Sequence, residues 1–239
     1  IATNVLGTAH LLQSLRGCDA LDAILVVTSD KAYDNPAYAP GYTHPPFKEG
    51  DPLGGRDPYS ASKGAQEIIT RSFAQSFFKE ANVPVVTARA GNVIGGGDWS
   101  SDRLMTDVIA ASANSQPVVL RNPHSTRPWQ HVLDPLGGYL SYVEHICAGD
   151  TDVPSLNFGP DDAHTVAEVV DEFANNWPDS LGWTCPEPAT PDSDKAEASL
   201  LALDPSLARQ TINWHPRLSF ATSIEWVATW HQAHLAGED

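Results

Sequence analysis

Apolar side chains fall at Val5, Leu11, Leu12 and Leu15, with the Thr8 methyl on the same face, a period that predicts a helix ending near Gly17. The pattern then changes. Residues 23–28 run Ala-Ile-Leu-Val-Val-Thr, the β-branched signature of a strand buried on both faces of a sheet. A Pro-, Gly- and Tyr-rich stretch from Asp30 to Arg56 breaks every period, and a connection that long in a compact domain is functional or disordered. Asp57-Pro58 supplies an N-cap and a first-turn proline for a helix running to about Ala81. Pro84 to Ala90 reads as a second buried strand, and it ends in a loop from Gly91 to Trp99.

Helix, strand, long loop, helix and strand in alternation call for parallel strands joined by crossover helices. An amphipathic helix over Leu104 to Ala113, a short strand at Val118 to Leu120, a helix over about Pro135 to Cys147 and a strand at Leu156 to Phe158 follow. Thr165-Val166-Ala167-Glu168 is a capping box that opens a helix ending near Trp177. Residues 178–198, rich in Pro and Asp, are expected to be a loop. Asp204-Pro205 starts a short helix, and a last amphipathic helix from Ser219 carries Ile224, Trp226, Val227 and Trp230.

The 239 residues are 41% hydrophobic and 18% charged, enough to bury a core. Acidic residues outnumber basic ones 30 to 14, for a formal charge of −16. That field excludes a broad nucleic-acid or anionic-membrane surface, so neither partner is expected, and an anionic ligand must meet a local basic patch. The longest strongly apolar run, Ala23 to Val27, is far too short to span a bilayer, and no cationic, apolar signal segment opens the sequence. Cys18, Cys147 and Cys185 are far apart, with no CxxC pair. They argue against a zinc ribbon or a disulfide framework and make a reducing cytoplasm the expected compartment.

Chemistry enters at Tyr59-Ser60-Ala61-Ser62-Lys63, where Tyr and Lys share one helix face. An ammonium one turn from a phenol favours the phenolate, and such a pair can act as general base toward an alcohol. A surface pair would have the same spacing. The position decides: the pair opens a helix entered from the long loop, after a strand ending in Thr28-Ser29-Asp30-Lys31, and open α/β sheets bind ligands at the carboxyl ends of their strands.

Asn4-Val5-Leu6-Gly7-Thr8, Thr28-Ser29-Asp30, Tyr59-x-x-x-Lys63 and Arg89-x-x-Asn92-Val93-x-Gly95 together resemble the extended short-chain dehydrogenase/reductase family. Thr28 to Tyr33, Asp57 to Ser60, Gly91 to Trp99, Arg121 to His124, Arg127 to Val132 and Asn157 to Pro160 narrow the resemblance to the CDP-glucose branch of its sugar-nucleotide 4,6-dehydratases. The resemblance implies an α/β fold, an incomplete doubly wound parallel sheet of Rossmann type with a smaller α/β substrate-binding domain. The sheet is expected in residues 1–102 and 128–160, the smaller domain in 103–127 and 161–239.

The implied cofactor is NAD and the implied reaction is redox-neutral. Tyr59 would take the hydroxyl proton at sugar carbon 4 while hydride passes to NAD, and Lys63 would hold the nicotinamide ribose. Asn4 and Gly91 are further cofactor positions by the same resemblance, Gly91 letting the backbone approach the nicotinamide. The carbon 4 ketone acidifies carbon 5, water leaves from carbon 6, and the hydride returns there. Ser29, Asp30 and Lys31 match the elimination machinery, with Asp30 protonating the departing hydroxyl. Lys31 stands where the dTDP-glucose enzymes carry a Glu base; it could act as a neutral base or hold the developing enolate charge.

Asn92 is implied to bond the substrate, and Arg127 to bind its diphosphate, with Arg103 and Arg121 as further cations or as surface residues. Gly95-Gly96-Gly97 is not followed by Gly-Lys-Ser/Thr and reads as a turn rather than a phosphate loop. His131 is expected to be structural. His231 and His234 lack further ligands, so a solvated helix face and no metal are expected.

Neither a Gly-rich turn after a first strand nor an acidic residue about 20 positions on is found in these residues. In the resembled family both precede the Asn4 region, so the chain is expected to start partway through the nucleotide-binding domain and not to catalyse alone. The helices over residues 2–16 and 58–81 are expected to form a homodimer interface through Leu11, Leu12, Leu15, Ile68, Ile69 and Phe73. Two rivals stay open: a sugar-nucleotide epimerase or other dehydratase, which shares Tyr59 and Lys63, and a non-catalytic nucleotide-sugar-binding relic.

Overall fold

The computed structural model describes residues 1–36, 44–150, 152–180, 182–186 and 201–237. At its centre lies a parallel sheet in the order β1 (Ile24–Val27), β2 (Val85–Ala90), β7 (Ser155–Phe158). Ile24 stands opposite Val85, and Ala88 opposite Leu156. Side chains of β2 alternate between the two faces. Val86, Ala88 and Ala90 pack with Leu156, Phe158, Tyr142 and Ile146 on one face, under α4 (Leu133–Cys147). Val85 packs on the other with Leu12, Ile24 and Phe78, beneath α1 (Gly7–Leu15) and α2 (Pro58–Phe73). Helices on both faces make the sheet doubly wound, as the alternation of periods requires.

Local signals account for the helix boundaries. Asp57 caps α2 by accepting from the Tyr59 and Ser60 backbone N–H groups at 2.9 Å, with Pro58 in the first turn. A π-helical turn, Ala74–Phe78, carries α2 toward the end predicted for it. Another, Ala2–Leu6, leads into α1. The Thr165/Glu168 capping box opens α5 (Val166–Asn175). The strand predicted as buried on both faces departs from expectation: β1 pairs only with β2 among the described residues, and Val27 at its end is 47% exposed.

A second apolar cluster joins α3 (Leu104–Ala113), α5 and α7 (Phe220–Leu235) through Val108, Val169, Phe173, Ile224 and Val227. Two-residue strands frame it, too short for any periodicity to reveal. β3 (Val93–Ile94) pairs with β6 (Gln130–His131), β4 (Val118–Val119) with β9 (Trp183–Thr184), and β5 (Thr126–Arg127) with β8 (His164–Thr165). β9 falls inside the loop predicted over 178–198, of which residues 181 and 187–198 lie outside the described ones. α6 (Ser206–Ile212) packs on β7. The long loop after β1 starts as a 3-10 turn, Asp30–Ala32, and is pinned by bridges from Tyr33 to Leu53 and from Phe47 to Leu203; its residues 37–43 are outside the described set. Among the described residues no helix is long and apolar enough to cross a membrane.

Candidate active site

β1 and β2 deliver their carboxyl ends side by side. Asp30, in the turn after β1, is 3% exposed. Its Oδ1 accepts from Ser29 Oγ at 2.9 Å, while Oδ2 is buried without a hydrogen-bond partner. Burial pushes the carboxyl above the usual carboxylate range, outweighing the Ser29 hydrogen bond and the charges of Lys31 and Arg127. Gly91, just beyond β2, makes room for it: a Cβ there would overlap Asp30 Oδ2 and Cγ. The missing side chain thus has a reason within the protein itself, apart from any approach by a ligand.

α2 packs directly on the Asp30–Ala32 turn, Gly64 lying over the Ala32 carbonyl. This brings the first two turns of α2, with Tyr59 and Lys63, to the same end of the sheet. Tyr59 is 47% exposed. Lys63 is half-buried, and its Nζ donates to Gln66 Oε1 at 3.1 Å. Burial lowers its pKa, with Glu67 opposing the shift. Asn4 reaches α2 through a 2.9 Å bond from Nδ2 to Ser62 Oγ, and Ser62 in turn donates to the Tyr59 carbonyl at 2.7 Å. Lys31 donates its backbone N–H to Ser29 Oγ at 3.2 Å, and its ammonium acts on both Asp30 and Asp57.

Beneath these groups lies a charged network that motif reading missed. Glu67, one turn past Lys63, accepts from Arg89 Nε and Nη2 at 2.8 Å each, from Thr87 Oγ1 at 2.8 Å, and from Thr28 Oγ1. Arg89 Nη1 donates to Tyr33 Oη at 2.7 Å, and Tyr33 donates to Asn157 Oδ1 at 2.8 Å. β1, β2, β7 and α2 are thereby locked together under the site. A Glu at i+4 from Lys63 was the available signal, but an exposed i,i+4 pair looks the same in sequence.

Asn92 follows Gly91 with φ 43°, in the left-handed region where Asn is tolerated better than most residues. Gln130 fastens this strand end: its Nε2 donates to the Gly91 carbonyl at 3.1 Å and to the Phe158 carbonyl at 2.9 Å. Arg127, on β5, is buried and close enough to act on Asp30. Arg103, at the N-cap of α3, and Arg121, beyond β4, are exposed. The structure therefore gathers Ser29, Asp30, Lys31, Gly91 and Arg127, sets Tyr59, Lys63 and Asn4 against them on and beside α2, and leaves Arg103 and Arg121 on the surface.

Three expectations lie outside this group, and one of them, for His231, is overturned. His131 is buried, and burial lowers its pKa, as suits a structural role. His231 is not on a solvated face: it is wholly buried, because Trp99 and Trp230 cover it. In the Gly95–Gly97 turn, Gly96 and Gly97 border Trp230 while Gly95 faces Val132. Among the described residues no group of three or more His, Cys, Asp or Glu side chains could hold a metal.

The chain is 42% identical over its whole length to CDP-glucose 4,6-dehydratase from Salmonella typhimurium, and it spans 66% of that protein. Two solved structures share the fold. One is an epimerase from Methanothermobacter thermautotrophicus, with TM-score 0.83 and 20% identity, covering 99% of this chain and 67% of that one. The other is dTDP-glucose 4,6-dehydratase from Bacillus anthracis in complex with NAD, with TM-score 0.77 and 19% identity, covering 96% and 67%. With residues 1–227 matching its family model, the chain belongs to the GDP-mannose 4,6-dehydratase family.

Proposed function

We propose that the whole protein dehydrates CDP-glucose to CDP-4-keto-6-deoxyglucose with NAD as its cofactor. The observation that carries this reading is Asp30, a buried carboxyl whose Oδ2 lacks a partner, set beside the helix of Tyr59 and Lys63. An epimerase needs the base but has no leaving hydroxyl for such an acid to protonate. The high identity to the Salmonella enzyme supports the choice of nucleotide and sugar.

The residues fit NAD. A half-exposed Tyr and a half-buried Lys stand at the carboxyl edge of a parallel sheet, where such ligands bind, and Lys63 has N–H groups beyond the one given to Gln66. Lys63, Tyr59, Asn4 and Gly91 would hold it. Bound there, NAD supplies reversible oxidation at sugar carbon 4. Tyr59, as the phenolate, takes the carbon 4 hydroxyl proton and becomes the neutral phenol, with the Lys63 ammonium one turn away as counter-charge. Asp30, whose proton affinity burial raises, gives its proton to the hydroxyl leaving carbon 6, and Ser29 holds its other oxygen. Lys31 serves the carbon 5 step, as base or as counter-charge to the enolate. Arg127, with Arg103 and Arg121, meets the diphosphate, and Asn92 bonds the sugar.

Asp30→Asn is expected to cut dehydration by about 10²-fold or more, because the amide cannot supply the proton. The check is loss of water from CDP-glucose, followed by mass spectrometry; near wild-type water loss would remove Asp30 from the role of acid, and a wild-type protein that isomerises the sugar without losing water would be an epimerase. In the wild-type protein dehydration should also decline as pH rises through the raised pKa of Asp30, since the protonated form is the active one.

We further propose a sheet unit at 1–102 and 128–160 and a substrate-binding unit at 103–127 and 161–239. The separate apolar clusters support the division, although α6 rests on the sheet. A homodimer through α1 and α2 is supported by exposed Leu11 and Ile68; Leu12, placed in that interface by sequence, is instead buried in the core. Ile68→Asp should shift the whole protein from dimer to monomer by sedimentation at micromolar concentration, and an unchanged dimer would rule this interface out. A cytoplasmic location is supported by the exposed, unbridged Cys18, Cys147 and Cys185.

A further inference from the structure

Resting on that dehydratase reading, we propose that Trp230 on α7 is a positioning residue for sugar-nucleotide binding, acting through the loop that connects Asn92 to Arg103. The loop leaves β3 with its start fixed, since the Val132 N–H donates to the Ile94 carbonyl at 2.7 Å. Gly95 faces Val132, whose Cγ1 would lie 2.8 Å from an added Cβ. Gly96 has no room for a side chain, because a Cβ would overlap Cγ and Cδ2 of the Trp230 indole. Gly97 turns with φ +77°, and its added Cβ would sit 3.5 Å from the far edge of the same ring.

The end of the loop is held from the same helix. Trp99 stands edge-on to His231, with centroids 5.1 Å apart and planes at 88°, and lies 6.4 Å from Trp230. His234 stacks on Trp230 at 5.3 Å and 7°, a further contact that holds the indole. Asp98 then hands the chain to α3: its carbonyl accepts from Thr106 Oγ1 at 3.4 Å and its Oδ1 from the Ser100 N–H at 3.0 Å. One indole thus sets the path between a residue at the sugar end of the site and an arginine at the N-cap of α3.

Core packing alone does not explain this arrangement. Trp230 is 43% exposed and Trp99 55%, so neither indole contributes the burial of a core tryptophan. Gly96 lies against the ring where a side chain would push it away, and Gly97 borders the ring's far edge. Such a contact holds a loop in one conformation, and a ligand that needs this conformation then binds without ordering it.

The test is calorimetric binding of CDP-glucose to the whole protein, alongside steady-state kinetics and thermal unfolding. Trp230→Ala should weaken binding and raise KM about tenfold while kcat stays within about twofold, since ordering a released loop of several side chains costs on that scale. Trp230→Phe should restore most of the affinity. Gly96→Ala should weaken binding with Trp230 present, and the Gly96→Ala/Trp230→Ala pair should be no weaker than Trp230→Ala alone, because both changes break one contact. Folded variants that bind as tightly as wild type, or effects that add, would overturn the inference. A wild-type protein that does not bind CDP-glucose would overturn the dehydratase reading itself.

Discussion

Tyr59→Phe is expected to lower kcat on CDP-glucose by about 10² to 10⁴-fold, the span typical of losing a general base. The phenol oxygen is the one group on this helix face placed to accept the carbon 4 proton with an ammonium a turn away. Phenylalanine keeps the ring, and the position is half-exposed, so the change opens no cavity. Affinity for the sugar nucleotide should therefore hold, and kcat and kcat/KM should fall together, the pattern of an interaction made only in the transition state. Stopped assays on the whole protein, paired with calorimetry, separate the two quantities. A variant turning over at close to the wild-type rate would remove Tyr59 from the role of base, and a wild-type protein that binds CDP-glucose without dehydrating it would favour the relic.

The largest effect on stability should come from Glu67→Gln, about 3–5 kcal/mol, the range for breaking one half of a buried ion pair. Glu67 and Arg89 are both buried, and the carboxylate receives two hydrogen bonds from the guanidinium and one from each of two threonines. A glutamine offers one acceptor oxygen and turns an NH₂ group toward donors, leaving the Arg89 charge uncompensated. Urea unfolding should show a lower midpoint with an unchanged slope. The pH dependence has a definite sign. Burial alone would raise the Glu67 pKa, but Arg89 and the threonines hold it below the ordinary glutamate value of 4.5. A depressed folded-state pKa contributes stability that is present above 4.5 and lost as pH falls through the folded value. The gap between wild type and variant should therefore narrow in acid; a gap that is constant with pH would show that the charge of Glu67 is not what stabilises the fold.

Glu67 also marks where motif reading ends. Tyr59 and Lys63 were legible because their spacing, their cap and their place after a strand are all local. Glu67 continues the same spacing, yet its partners Thr28, Thr87 and Arg89 come from two strands, and nothing within one helical turn reveals them. Leu11 and Leu12 make the same point at the surface: both suit an apolar helix face, and the fold buries Leu12 against Ile24 and Phe78 while leaving Leu11 exposed. His231 reads as half of a solvated pair until Trp99 and Trp230 are seen to cover it.

Within its own bounds the amino-acid order determined the α/β class, the main helices and strands and the caps at Asp57 and Thr165. It also pointed to Tyr59, Lys63 and Asp30 as candidate site residues. Those features depend on periods of 2 and 3.6 residues and on hydrogen bonds closed within a turn. Tertiary structure alone decided that Asp30 is sealed beneath Gly91, sixty-one positions away in the sequence, and that pairs of two-residue strands frame the second cluster. It also set Trp230 on the glycine loop. The physical reason is common to all three: desolvation and close packing depend on which distant segments share a volume, and a single buried carboxyl acquires its proton affinity only from neighbours that the chain brings to it by folding.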